Sequence, residues 1–300
     1  MIDSSFDILI EYKGTNKLSS SSSSVDSLIK SSGTIEIKGN GESSLELQPN
    51  ATTTVDCAIV RANKVIINGG NLIIKGSNGK NYSEDDRTGS IGRKGSSGIV
   101  AYETLVKNNA VVTITAGNGG NGSQGRDGDA GQEGIPKGKT WFDPDPTNGE
   151  DGKPGKAGGN GGKGGTAIDG NLTVEFSSIT ISGGNGGDGG DGGNGGDGGA
   201  GGWNSMINSD PADGGDGGKG GKGGDAGYGG DAVSGFLTEK NSFVYITAGK
   251  HGKVGKVGEG GKAGDGGKAI GANTKPNGKI GNPGAPGDLG DPGEDGIEHR

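Results

Sequence analysis

Five short stretches of the chain set apolar residues at alternate positions and then run into glycine or alanine. They are Ile35-Glu36-Ile37-Lys38-Gly39, Leu72-Ile73-Ile74-Lys75-Gly76, Val112-Thr113-Ile114-Thr115-Ala116, Ile179-Thr180-Ile181-Ser182-Gly183 and Val244-Tyr245-Ile246-Thr247-Ala248. A period of two predicts strands with one buried face. Val112, Ile114, Ile179, Ile181, Val244 and Ile246 are expected inside, and Thr113, Thr115, Thr180, Ser182, Tyr245 and Thr247 outside. Aligned on Ile37, Ile74, Ile114, Ile181 and Ile246, the successive spacings are 37, 40, 67 and 65 residues. The strand is kept while the spacer nearly doubles, as in stacked repeats whose insertions leave from one edge. A second strand precedes the first in each repeat: Val65-Ile66-Ile67, Ile99-Val100-Ala101, Leu172-Thr173-Val174 and Phe236-Leu237-Thr238. Parallel stacking would bury these aliphatics as a narrow column, which favours a β-helix over a small β-sandwich.

The spacers follow another period. From Gly183 to Trp203 the chain reads as Gly-Gly-X triplets, with X as Asn185, Asp188, Asp191, Asn194, Asp197, Ala200 and Trp203. The pattern resumes from Gly214 to Asp231, and related stretches run from Gly119 to Gly134, Gly149 to Gly165 and Gly249 to Ala269. A three-residue period fits neither α-helix nor strand; it fits a left-handed helix of the polyproline-II type, which has no internal hydrogen bonds. Its amides and carbonyls need neighbours, so a bundle is expected, with X turned to solvent. One unbroken run of Gly183–Trp203 would span about 65 Å at ~3.1 Å per residue, and shorter antiparallel arms are expected instead. The segment from Gly281 to Gly296 reads either as a last arm or as a short collagen-like stretch.

Composition narrows the classes. Glycine supplies 74 of 300 residues, while hydrophobic residues make up 26% and aromatics 4%, too little for a conventional core of this length. The net charge of −8, with both signs interspersed, gives no basic face for nucleic acid. Cys57 is the only cysteine, so no intrachain disulfide forms. No apolar run is long enough to span a membrane, and the N-terminus reads as no signal peptide. The expected location is extracellular, at a cell surface or on a virion.

The Gly-Gly-X arms, above all between Gly183 and Asp231, resemble the glycine-rich adhesins of bacteriophage tail-fibre tips. That resemblance implies a sandwich of polyglycine-II helices binding host receptors through the loops between helices. The strand-then-glycine junctions Ile114 to Gly120 and Ile181 to Gly187 also resemble glycine-rich bacterial surface proteins with β-helical repeats.

The candidate binding residues are those expected where arms turn back: Trp141, Phe142, Asp143 and Asp145 in one turn, Trp203, Met206 and Ile207 in the other. An aromatic in a polar loop suits sugar stacking or a receptor hot spot, and covering the bundle's open end is the competing role. The acids of the arms lack the apolar position of calcium-binding nonapeptides, so solubility is their expected role and no metal or cofactor is expected. Asp169, Glu175 and Glu239 stand singly, and His251 and His299 are isolated, so no catalytic constellation forms.

The expected fold is thus all-β: β-solenoid rungs with an inserted bundle of polyglycine-II, polyproline-II-type helices and essentially no α-helix. Residues 1–32 are expected as an N-terminal cap and Ser-rich loop, 33–116 as solenoid rungs, and 117–300 as further rungs with inserted glycine arms. The expected function is a non-enzymatic adhesin or surface-binding module for a cell-surface glycan or surface protein. A structural fibre or coat protein that self-associates by end-to-end stacking is the alternative. Ice binding ranks behind both, because Tyr245 interrupts the outward threonines and the X positions carry Asp and Lys.

Overall fold

The inward aliphatics predicted from the period of two lie in register, one repeat above the next. The computed structural model describes residues 1–20, 26–49, 52, 57–82, 89–137, 143–205, 210–269 and 275–298; its regular structure is all β, with no helix among the described residues. The first circuit of the chain lays down β1 (Ile2–Ser4), β2 (Ile8–Glu11) and β3 (Thr15–Leu18). The second gives β4 (Ser27–Ser31), β5 (Thr34–Lys38) and β6 (Ser44–Leu47), and the third β7 (Ala58–Arg61), β8 (Lys64–Asn68) and β9 (Asn71–Lys75). In the fourth, β10 (Ser97–Lys107) covers two sides at once and β11 (Val111–Thr115) the third. The chain closes with β12 (Ile168–Glu175), β13 (Ser178–Ser182), β14 (Leu237–Lys240) and β15 (Phe243–Thr247).

All pairings between these strands are parallel, each with the strand one circuit away. One sheet runs β15-β13-β11-β9-β6-β3, and the remaining nine strands make up the other. The core is a set of vertical columns. Leu47, Ile74, Ile114, Ile181 and Ile246 form one, and Ile35, Val65, Thr104, Leu172 and Leu237 another. Ile114 and Ile181 are fully buried, while Val244 and Ile246 at one end of the stack are only partly covered.

Two expectations need correcting. Ile37 does not lie in the column of Ile74; it pairs with Ile67, and Leu47 holds the place below Ile74. Both strands bury alternate residues, so a period of two cannot say which side of the circuit a strand occupies. Each circuit also has three sides, one more than the two strands read from the sequence. Within residues 1–32, β1 to β4 lie in the same parallel arrangement as the later circuits.

The corner between the second and third sides is left-handed. Gly69 and Gly70 have φ of 69° and 70°, Asn108 and Asn109 62° and 58°, and Asn241 49°. Glycine and asparagine tolerate this region. Phe176, at the same corner one circuit from each asparagine, has φ 46°; a bulky residue held there costs of order 1–3 kcal/mol.

The glycine segments leave the stack after the third side and return to the first. Arms 117–137, 183–204 and 249–269 lie parallel to one another, and arms 143–165, 210–230 and 275–298 return antiparallel between them. Every backbone donor of a typical triplet is accounted for. Gly184 N–H donates to Gly165 O on a returning arm, Gly186 N–H to Lys250 O on the next outgoing arm, and Asn185 N–H to Asn118 Oδ1 on the previous one. Glycine is obligatory at the close approaches: a Cβ on Gly184 would collide with the carbonyl oxygen of Gly117.

The expected break of the 183–203 run into shorter arms does not occur. Its bonds to the arm below continue in step from Gly119–Asn185 to Lys137–Trp203. The carbonyl supply of a parallel neighbour of equal length removes the reason to fold back. The Gly281–Gly296 stretch is part of a last arm, bonded to 249–264 of the same chain through Gly281, Gly284, Gly287 and Gly296.

Candidate functional site: the outer end of the arms

At the end of the arms far from the strands, three outgoing arms finish side by side. Lys137 pairs with Asn204, and Asn204 with Ala269, each in parallel. Lys137 N–H donates to Trp203 O at 3.1 Å and Asn204 N–H to Lys268 O at 3.0 Å, so the last regular bonds of the three arms fall at one level. Asn204 is completely buried there, and its Nδ2 donates to Asp210 O at 3.2 Å, tying an outgoing arm to its return.

Trp203 occupies the final X position of its arm and is 36% exposed. Asp145 meets Lys137, Nζ to Oδ1 2.6 Å; the lysine is 9% exposed and the carboxylate 85%, so the aspartate serves as the counter-ion of a covered cation. Asp143 lies beside it in the sequence and also has an interaction partner. Asp210 makes a looser contact with Lys275 across to the next return arm, 3.5 Å. Trp141, Phe142, Met206 and Ile207 lie outside the described residues. Of the seven predicted residues, then, the structure positions Trp203, Asp143 and Asp145, all on arms that end together.

The acids along the arms have a role that the sequence did not disclose. Asn118, Asn185, Asp188, Asp191, Asn194 and Asp197 each accept, through Oδ1, the backbone N–H of the X residue one layer on. The return arms do the same through Asn148, Asp151, Asn160, Asp213, Asp216 and Asp225. The signal was present as Asn or Asp at every third position, but the layer spacing needed to read it comes from the fold. Asp225 gathers bonds from three different residues. It accepts from Asp291 N–H at 2.8 Å, Asn160 Nδ2 at 2.9 Å and Lys222 Nζ at 3.1 Å. The Asp291 amide, then the Lys222 and Asn160 side chains, hold its carboxyl below the usual carboxylate range against partial desolvation. A groove of about 670 Å³ on the arms has Asp127, Asp191 and Asn194 in its lining, all three bonded to amides of this ladder.

A second feature was missed: exposed aromatic residues on a strand and at the corner beside it. Phe243 is 81% and Phe176 50% exposed, at one corner of the stack. Only Tyr245 among the strand aromatics was read as outward from the sequence. No helix among the described residues is long and apolar enough to cross a membrane.

No protein-family model matches the chain, and no curated protein matches it. Among solved structures, it is similar to the nine polyproline type II helical bundle springtail antifreeze protein from Granisotoma rainieri, at 22% identity over 72% of this chain and 93% of that one. The TM-score of that match is 0.17, and the likeness carries no argument about fold or function.

Proposed function

We propose that this chain is a non-enzymatic surface-binding module: β-solenoid rungs hold a bundle of polyglycine-II-type arms, and the outer end of the bundle meets a cell-surface glycan or surface protein. The three-sided circuits and in-register aliphatic columns support the solenoid. The three-residue bonding step, with each triplet donating to three different neighbours, supports the glycine helices. The observation that carries the functional reading is the alignment of Lys137, Asn204 and Ala269, because three neighbouring arms then end at one level. A partly exposed Trp203 on that end offers the large, rigid contact area that recognition surfaces favour.

End-to-end stacking, the alternative, meets an obstacle in the last arm. Gly214, Gly217, Gly220, Gly223 and Ala226 donate onward to arm 275–298. The equivalent places in that arm are Ile280, Pro283, Pro286, Leu289 and Pro292, and proline has no N–H to offer a further layer.

The test is a Trp141→Ala/Trp203→Ala double variant, assayed for adsorption to intact bacterial cells and on a glycan array, with thermal melting alongside. At least a tenfold loss of adsorption with an unchanged melting temperature is expected. Undiminished adsorption would remove the outer end as the binding surface.

A further inference from the structure

We infer that the corner groove between Phe176 and Phe243 is a carbohydrate site, taking one neutral pyranose ring of a surface glycan. It is separate from the outer end of the arms and does not depend on that reading.

The groove holds about 300 Å³ and is lined by Asn109, Val111, Phe176, Ser178, Asn241 and Phe243, with the covered residues Ala110 and Ser177 behind them. Three turns stack to make it, because Val111 pairs with Ser178 and Ser178 with Phe243. Its chemistry is mixed in a specific way. Two phenyl rings and the half-exposed Val111 give apolar walls, while the exposed carboxamides of Asn109 and Asn241 make no hydrogen bond within the described residues. Each carboxamide offers two donors and an acceptor. A pyranose presents the complement: an apolar C–H face for an aromatic ring and a rim of hydroxyls for amides. No lining residue is charged, so nothing in the groove selects a phosphate or carboxylate.

The backbone gives an independent pointer. The circuits on either side of Phe176 place asparagine at this left-handed corner, and the third circuit places glycine. Phenylalanine is the residue type that this conformation tolerates least among the three, and half of its side chain is exposed on the groove. Strain of this kind collects at binding sites. Lys240 lies 5.7 Å from the Phe176 ring centroid, a cation–π contact that steadies the ring against one wall.

The experiment compares the full chain with Phe176→Asn, Phe243→Ala and Trp203→Ala on an array of neutral oligosaccharides, followed by titration of the best one with chemical-shift mapping. Phe176→Asn is expected to melt at the same temperature or higher, since asparagine suits the corner, and yet to lose at least tenfold in affinity. Phe243→Ala should lose affinity to a similar degree, and Trp203→Ala should retain it. An array with no neutral ligand, or a ligand whose affinity survives both phenylalanine changes, overturns the assignment. Affinity lost with Trp203→Ala alone overturns it too, while supporting the arm-end reading.

Discussion

Thr104 lies fully buried between Val65 and Leu172 in a column of aliphatic side chains, and no hydrogen-bond partner reaches its Oγ1. A buried hydroxyl without a partner carries a desolvation cost of about 1–3 kcal/mol. Valine has nearly the same shape and no hydroxyl. Thr104→Val is therefore expected to raise unfolding stability by about 1 kcal/mol, read from the urea midpoint at constant m-value; a fall would show that the hydroxyl is satisfied after all. Within the same small core, Ile114 and Ile181 were legible as inward residues because alternation fixes the face of a strand. Thr104 was not, since a threonine amid Glu103 and Leu105 reads as outward until Val65 and Leu172 are seen on either side of it.

At the level of single arms, close packing decides which glycines are replaceable. Ala130, Ala157 and Ala200 already occupy X positions, where a methyl group points away from the neighbours. Gly196 occupies an inner position, donating to Lys153 O and accepting from Gly218 N–H, and a Cβ there would collide with the carbonyl oxygen of Asp129. Gly196→Ala should cost about 3 kcal/mol or more, beyond what ordinary overpacking produces, while Ala200→Gly should change the melting temperature little. Equal effects of the two changes in calorimetry would contradict this packing. Larger residues do stand at some of these places: Val254 and Val257 are where the arm below has Gly189 and Gly192, and the bond from Gly287 to Gly258 is kept beside Val257. The three-residue period announced the arms in the sequence. Their length was misjudged because an isolated run has no carbonyl supply, whereas a layered one borrows it from an equal neighbour.

Across the molecule, the Asn and Asp side chains link the layers into one hydrogen-bonded body, and Asp225 makes one of these links sensitive to acid. The carboxyl of Asp225 is held below its ordinary pKa by the Asp291 amide, so the stability it contributes is present above the unfolded value of about 3.9 and is lost as pH falls through the lower folded value. The melting temperature should be flat above about pH 5 and fall on the acid side of pH 4. Asp225→Asn keeps an amide-accepting oxygen and removes the titration, so its acid limb should be shallower than that of the parent. An acid limb of unchanged steepness in scanning calorimetry would show that Asp225 does not link the layers.

The sequence by itself determined the local geometry: which strand residues face inward, where glycine imposes a three-residue repeat, and that a chain with so few aliphatics cannot build a broad core. These follow from chain stereochemistry, which acts over a few residues and so is written in neighbouring positions. Only the tertiary structure decided the three-sided circuit, the true partner of Ile74, the Asx ladder and the aromatic corner at Phe176. Those depend on residues about 30 to 70 positions apart being stacked at strand spacing (about 4.8 Å), and no local period records which distant residue lies one layer away.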